Sequence, residues 1–403
     1  MVESLVPKKI SISIETLPVF NNSDFIYQPM DEIILNFLSN LSKKILKDLE
    51  LRVEPSYAAL GFWLRKSNIK KIVNENKDIF LMKNVRIKPI GIVFHLCPSN
   101  VDTMFFYSLA IALLAGNKNI VRISSRLKDP LIDKLFLLIN ELIESEFQLF
   151  INYLNIIKYE HEEQYNQAVS LESDARIIWG GDETINQFKA IKTKPKVKDL
   201  YFADRISLSL INAKTVLGLN DNEILELSKN LYNDIYTFDQ KGCSSPHSIF
   251  LLGNKKETEV ALNILYNKIS KIAETNYIND INSMASVKFN RLAEDIISND
   301  IIPAIYKNNY LTITELTKNK IPHTCGLGYI YYKSINNIKD LMPYLNEKIQ
   351  TIGYFGLTKK ELYSLQNNSI ADRIVPVGKA LDFDYIWDGY NILMEMLSFK
   401  YII

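Results

Sequence analysis

Hydrophobic positions along this chain follow two periods. In MDEIILNFLSNLSKKILKDLE (30–50) apolar residues recur every three to four positions, the spacing of an amphipathic helix. From residue 89 the texture changes, because PIGIVFHL (89–96) is a continuous apolar run suited to a buried parallel strand. It is followed by the loop CPSNVD, the helix-like TMFFYSLAIALLAG, a turn at Gly116-Asn117 and the β-rich NIVRIS (119–124). Strand, loop, helix and strand make a βαβ unit. ARIIWGG (175–181) and RISLSLINA (205–213) predict further strands, with helical stretches at 129–145 and 182–191. After Ala213 the order begins again: LNDNEILELSKNLYNDIY as a helix, HSIFLLG (247–253) as a strand, KKETEVALNILYNKISKIAET as a long helix, then strands at 310–316, 326–333 and 350–354.

This alternation predicts an α/β protein with two doubly wound domains. The expected division is an N-terminal segment, 1–85, mainly helical and packing on the next domain; a domain over 86–212; a second over 213–372; and a C-terminal segment, 373–403. The length, 403 residues, supports two cores rather than one.

Composition narrows the possible partners. Lys+Arg 47 against Asp+Glu 46 leaves a formal charge of +1, so the chain has no bias towards polyanions and nucleic acid is not expected as a partner. The start, MVESLVPKKISISIE, lacks a signal-peptide core, and 104–116 is shorter than the roughly 18–20 apolar residues of a membrane span. A cytoplasmic protein without a membrane span is the expectation. Cysteines 97, 243 and 325 and histidines 95, 161, 247 and 323 form no CxxC or HxxxH, so neither a metal site nor a structural disulfide is predicted. The fingerprint G-x-G-x-x-G and the phosphate loop G-x-x-x-x-G-K-[ST] are both absent, and Gly180-Gly181 is the chain's one double glycine.

Candidate chemistry centres on DQKGCSSPH (239–247). Cys243 is either a thiol buried among small residues or a nucleophile activated by backbone N–H groups and hydroxyls at the end of an element. IPHTCGLGY places Cys325, with His323 two residues before it, in a second loop of similar composition. His247 either tunes Cys243, acts as a base, or is a partly buried histidine opening an apolar strand.

Several blocks, taken together and in order, resemble a known family. GIVFHLCPSNVDTMFFYSLAIALLAGNKNIVRISSR is similar to the aldehyde dehydrogenase superfamily pattern of strand, Pro-x-Asn loop, long helix, Ala-Gly-Asn and a strand ending in a basic residue. With IIWGGDETI (177–185), FADRISLSLI (202–211), the Cys243 loop, QTIGYFG (350–356) and RIVPVGKALDFDYIWDGYNIL (373–393), the resemblance is to the LuxC-type fatty acyl-CoA reductases of that superfamily. It covers residues 89–393 and implies an aldehyde-dehydrogenase-like fold, two Rossmann-like domains with a cleft between them.

The resemblance also implies roles. Cys243 would attack a fatty acyl thioester, from acyl-CoA or an acyl-protein, while Asn100 and the Cys243 N–H hold the oxyanion and NADPH reduces the acyl group to an aldehyde. Arg122 stands where the superfamily has a lysine reaching the adenosine ribose, and its forked guanidinium suits a 2′-phosphate, hence NADPH (NADP+) rather than NADH; Ser124 adds a hydrogen bond. Gly180 and Gly181 fall where the backbone approaches the cofactor phosphates, although Asp182 would repel phosphate unless it caps the following helix. The glutamate that activates water in acid-forming aldehyde dehydrogenases has no match in YFADRIS (201–207). A homo-oligomer and an acyl-protein synthetase partner are further implications. The rivals are an ordinary aldehyde oxidiser and a catalytically silent acyl carrier of the same fold.

Overall fold

The computed structural model describes residues 1–21, 27–97, 103–125, 129–160, 162–277, 281–298 and 300–402. It divides into two compact units, Met1–Ala203 with Phe383–Ile403, and Asp204–Asp382.

Strands of the first unit are β1 (Val2–Val6), β2 (Ile10–Ile12), β3 (Val85–Pro89), β4 (Ile92–Leu96), β5 (Lys118–Ser124), β6 (Leu154–Tyr159), β7 (Ala175–Trp179) and β8 (Lys198–Phe202). A seven-stranded sheet runs β2-β1-β6-β5-β4-β7-β8, and β3 pairs separately with Leu397–Tyr401. From β6 to β8 neighbours are parallel; β1 is antiparallel to both β2 and β6. The parallel order reverses between β4 and β7, the doubly wound arrangement in which ligands bind beyond the carboxyl ends of the strands. Every residue of β5 and β7 is buried, including the polar Asn119, Arg122 and Arg176 among their apolar neighbours. Helix Met104–Leu114 is buried along its whole length, so its hydrophobicity serves the core. No helix among the described residues is long and apolar enough to cross a membrane.

The structure adds strands that the apolar pattern hides. In β6, Asn155 interrupts the run yet is fully buried, its amide donating to the Ile151 and Leu154 carbonyls and its oxygen accepting the Val19 N–H at 3.0 Å. The N-terminal segment is less helical than expected: besides helices Glu32–Lys47, Pro55–Trp63 and Lys66–Asn76 it supplies β1 and β2 to the sheet edge.

The second unit contains β9 (Ile206–Asn212), β10 (Pro246–Leu252), β11 (Ile301–Lys307), β12 (Thr312–Leu316), β13 (Tyr329–Ile335), β14 (Ile349–Phe355) and β15 (Arg373–Pro376), in the order β11-β12-β13-β10-β9-β14-β15. Only β11 is antiparallel to its neighbour. Alternate residues feed two cores: Ile249 and Leu251 join one, Phe250 and Leu252 the other, so this sheet is covered on both faces. The boundary expected at 212/213 therefore moves to Ala203/Asp204, because β9 pairs between β10 and β14. The expected C-terminal segment is divided as well, 373–382 staying with the second unit while Phe383–Ile403 joins the first.

Candidate active site

The Cys243 loop is shaped by backbone geometry. Helix Asp221–Tyr236, opened by a capping box of Asn220 and Glu223, ends at Thr237. Asp239 and Gln240 then take φ of 53° and 56°, left-handed values that turn the chain sharply. The buried Gln240 amide donates to the Pro246 and Tyr329 carbonyls, at 3.1 and 3.3 Å, and its oxygen accepts the Gly328 N–H at 2.9 Å. One side chain thus ties the loop to β10 and the start of β13. A bond from the Ser245 N–H to the Gly242 carbonyl, 2.9 Å, closes a tight turn containing Cys243. The Ser207 hydroxyl of β9 donates to the Cys243 carbonyl at 2.7 Å and accepts the Thr351 N–H of β14 at 3.1 Å. Cys243 itself is half-buried, three residues before β10, and outside any disulfide. Ser207, Thr351 and Gln240 escape sequence reasoning, since two of them look like ordinary strand residues and the third like loop filler.

His247 lies on β10 and is buried. Burial, with His323 beside it, pushes its pKa down to about 3. Its Nδ1 accepts the Thr324 N–H at 3.4 Å, and its ring meets His323 edge-on with centroids 5.5 Å apart. A base working near neutrality needs a pKa near the working pH. Of the alternatives for His247, burial and these contacts favour the partly buried histidine that packs between β10 and the segment before β13. Cys325 is also disfavoured: burial raises its thiol to about 11 despite the nearby Lys288 ammonium. A thiol held protonated is a poor nucleophile. The surroundings of Cys325 are structural, with Asp295 fully buried and accepting from the Tyr329 and Tyr331 hydroxyls at 2.9 and 2.8 Å and from Arg291 at 2.6 Å.

The remaining predicted residues belong to the first unit. Arg122 sits level with Leu96 of β4 and Ile157 of β6 towards the carboxyl end of the sheet. Its Nη2 donates to the Tyr159 carbonyl at 3.2 Å and its guanidinium lies 5.2 Å from the Tyr159 ring centre. The buried Nε has no hydrogen-bond partner, which leaves a donor that a ligand oxygen could satisfy. Ser124, two residues on, is buried at the end of β5. Gly180 and Gly181 follow β7 at the same edge of the sheet. A Cβ on Gly180 would lie 2.9 Å from the Thr184 side chain, so packing against the helix explains that glycine; a Cβ on Gly181 would meet nothing within 4 Å. Gly181, not Asp182, is the N-cap of helix Asp182–Ala190, and Asp182 and Glu183 both occupy its first turn. Two carboxylates there suit the helix dipole and oppose a phosphate. The residues present thus fit the ribose end of a dinucleotide at Arg122 and do not fit a pyrophosphate at Gly180-Gly181. Asn100 lies outside the described residues. Among the described residues no group of three or more His, Cys, Asp or Glu is placed to hold a metal ion.

Comparison with known proteins adds three findings. The sequence model of the acyl-CoA reductase (LuxC) family matches residues 70–399. Long-chain acyl-protein thioester reductases of Aliivibrio fischeri and Photorhabdus luminescens are 24% and 23% identical over 282 and 303 residues, covering 67% and 73% of this chain. Those matches span 54% and 59% of the relatives, little more than half their length. Among solved structures, an NAD-dependent aldehyde dehydrogenase from Sinorhizobium meliloti has a TM-score of 0.69 at 11% identity, covering 96% of this chain and 85% of its own. A lactaldehyde dehydrogenase has a TM-score of 0.66 at 12% identity, covering 96% and 89%. At these identities the two structures share the aldehyde-dehydrogenase-like fold with this chain.

Proposed function

The chain belongs to the acyl-CoA reductase (LuxC) family, and from that premise we propose that it reduces a fatty acyl thioester to a fatty aldehyde through an acyl-Cys243 intermediate. The observation that carries this reading is the contrast between the two loop cysteines. Both are half-buried, but Cys243 stands in a turn whose carbonyl is held by Ser207, whereas Cys325 lies beside a buried ionic network and its thiol is pushed up to about 11. The Cys243 thiolate attacks the thioester carbonyl, the carbon–sulfur bond to the carrier breaks, and the carrier leaves as its thiol. Asn100 is the proposed amide donor to the oxyanion formed in that attack. A reduced nicotinamide, when bound, supplies the hydride that brings the acyl group to the aldehyde level. Arg122, through its unpartnered Nε, and Ser124 are the residues proposed to hold the ribose of that cofactor, and a guanidinium favours the 2′-phosphate of NADPH. In the absence of a residue matching the water-activating glutamate, the acyl-enzyme persists until hydride or a thiol takes it. Self-association and delivery of acyl groups by an acyl-protein synthetase belong to the same proposal, checked by light scattering and by acyl transfer from such a synthetase.

The test is acylation. Purified protein is mixed with labelled long-chain acyl-CoA without NADPH, and hydroxylamine-labile label is counted on the wild type and on Cys243→Ala. Label confined to the wild type and chased to aldehyde by NADPH is the expected result. Label that NADPH fails to chase would favour the silent acyl carrier, loss of label to a carboxylic acid by hydrolysis without NADPH the aldehyde oxidiser, and equal label on both proteins would remove Cys243 from the mechanism.

A further inference from the structure

In the first unit, buried side-chain atoms that lack a hydrogen-bond partner gather at one edge of the sheet. Among the described residues they are Thr103 Oγ1, Arg122 Nε, Asn140 Oδ1 and Trp179 Nε1. Asn140 lies within helix Pro130–Ser145. Thr103 is the N-cap of helix Met104–Leu114, which follows β4; Arg122 is two residues from the end of β5; Trp179 is the last residue of β7. These three stand at the carboxyl edge, around the point between β4 and β7 where the strand order reverses. Buried polar atoms in folded proteins are almost always paired. An unpaired donor where open α/β sheets bind ligands marks a contact that a ligand completes.

Trp179 and Arg122 occupy different faces of the sheet. Leu96 of β4 is level with Arg122 on one side and with Ile178 on the other. Ile120 and Ile178 belong to one core cluster. Arg122, two residues from Ile120, shares that face, and Trp179, next to Ile178, takes the opposite one. The two residues are two strands apart, about 10 Å at ordinary strand spacing. A ligand that meets both must cross the strand ends, as an extended dinucleotide with its ribose at Arg122 does. The indole is held in one orientation: its ring stacks on Phe202 with centroids 4.1 Å apart and planes 12° from parallel, and Phe202 meets Tyr390 edge-on at 5.6 Å. Trp179 is 7% exposed. An indole N–H donates and cannot accept, so its partner is an acceptor such as a carbonyl oxygen. The first-turn carboxylates of Asp182 and Glu183, which oppose a phosphate, do not oppose a neutral amide.

We propose that Trp179 Nε1 donates a hydrogen bond to the carboxamide oxygen of the nicotinamide and so orients the ring that carries the hydride. The proposal rests on the reading that the first unit binds a reduced nicotinamide dinucleotide. It makes Trp179 a cofactor-binding residue that the sequence hides, because in ARIIW it passes for the apolar end of a strand.

Calorimetric binding of NADPH without any acyl donor tests the assignment. Trp179→Phe keeps an aromatic ring against Phe202 and removes the donor. It should weaken NADPH about tenfold and leave 2′,5′-ADP, which ends at the adenosine, within about twofold of the wild type. Thio-NADPH, with sulfur in place of the carboxamide oxygen, should bind the wild type about fivefold more weakly than NADPH and show no such difference on the variant. Unchanged NADPH affinity in Trp179→Phe, or an equal loss of NADPH and 2′,5′-ADP, would overturn the proposal. Should the variant fail to fold, the wild type decides: thio-NADPH bound as tightly as NADPH overturns it. A protein that shows the expected binding pattern yet never reduces an acyl thioester would uphold Trp179 and remove the reductase reading. Binding of neither NADPH nor 2′,5′-ADP by the wild type would remove both.

Discussion

Two loops of this molecule carry nearly the same ingredients, a cysteine, a nearby histidine and small residues, and the fold treats them in opposite ways. Around Cys243 the restraint falls on the backbone: Gln240, Ser207 and the Ser245–Gly242 turn hold main-chain atoms while the side chain stays half-buried. Around Cys325 the restraint falls on side chains, with Asp295, Arg291, Tyr329 and Tyr331 locked in a buried polar network and the thiol pushed up to about 11. Both thiols are half-buried, so what separates the loops is what is held: main-chain atoms fix the position of the Cys243 turn, while a buried ionic network beside Cys325 serves stability.

The sharpest way to break this comparison is to exchange the loops' cysteines for inert residues. Cys243→Ala should lower acyl labelling by more than about a thousandfold, while Cys325→Ser should stay within about threefold of the wild type. Single-turnover labelling measures both, and a large loss in Cys325→Ser would reverse the assignment. On the stability side, Asp295→Ala strips the partner from Arg291 and two tyrosine hydroxyls, and should cost about 3 kcal/mol in denaturant unfolding. A loss below the uncertainty of the extrapolation would mean that the network is not structural.

Acid should affect the fold more than the thiols. His95 and His247 are held at about 4 and about 3, both below the ordinary 6.5, because burial disfavours their charged forms. Below 6.5 the unfolded chain takes up protons that these folded sites refuse, so their contribution is complete above that pH and is lost on acidification. Asp234, raised to about 7, acts in the opposite sense: its contribution is full below the ordinary 3.8 and is lost as pH rises through about 7. Two protons against one leave stability falling by about 1.4 kcal/mol per pH unit from ~6.5 towards ~4. Urea midpoints across that range check the sign, and a midpoint that rises on acidification would contradict it. The smallest effect is expected for Ser207→Ala, which removes the hydroxyl on the Cys243 carbonyl. About 1 kcal/mol of stability should go, together with a several-fold slower acylation; unchanged acylation would show that Ser207 supports the sheet and not the loop.

Much of the fold was legible in the chain because buried parallel strands leave short runs rich in apolar and β-branched residues. PIGIVFHL, NIVRIS and HSIFLLG became β4, β5 and β10 in sequence order. Cys243 also stood out, through its glycine, its serines and the ordered family blocks around it. Strands such as β6 escaped because a fully buried Asn155 is affordable only when distant backbone groups satisfy it, and those partners are not local. The alternatives for His247 stay open in the sequence for a related reason: burial, and not its place near Cys243 in the sequence, lowers its pKa.

By itself, the sequence determined the alternation of strands and helices, the family and the identity of the candidate nucleophile, since these reside in local period and in short ordered motifs. Tertiary structure alone decided which backbone atoms hold the Cys243 turn, which ionic network lies beside Cys325, that His247 is buried, and that Asp234 and Arg373, distant in sequence, both bond to one turn. Desolvation and hydrogen bonding depend on what surrounds a group in space, and for these residues the surroundings come from strands and turns far along the chain.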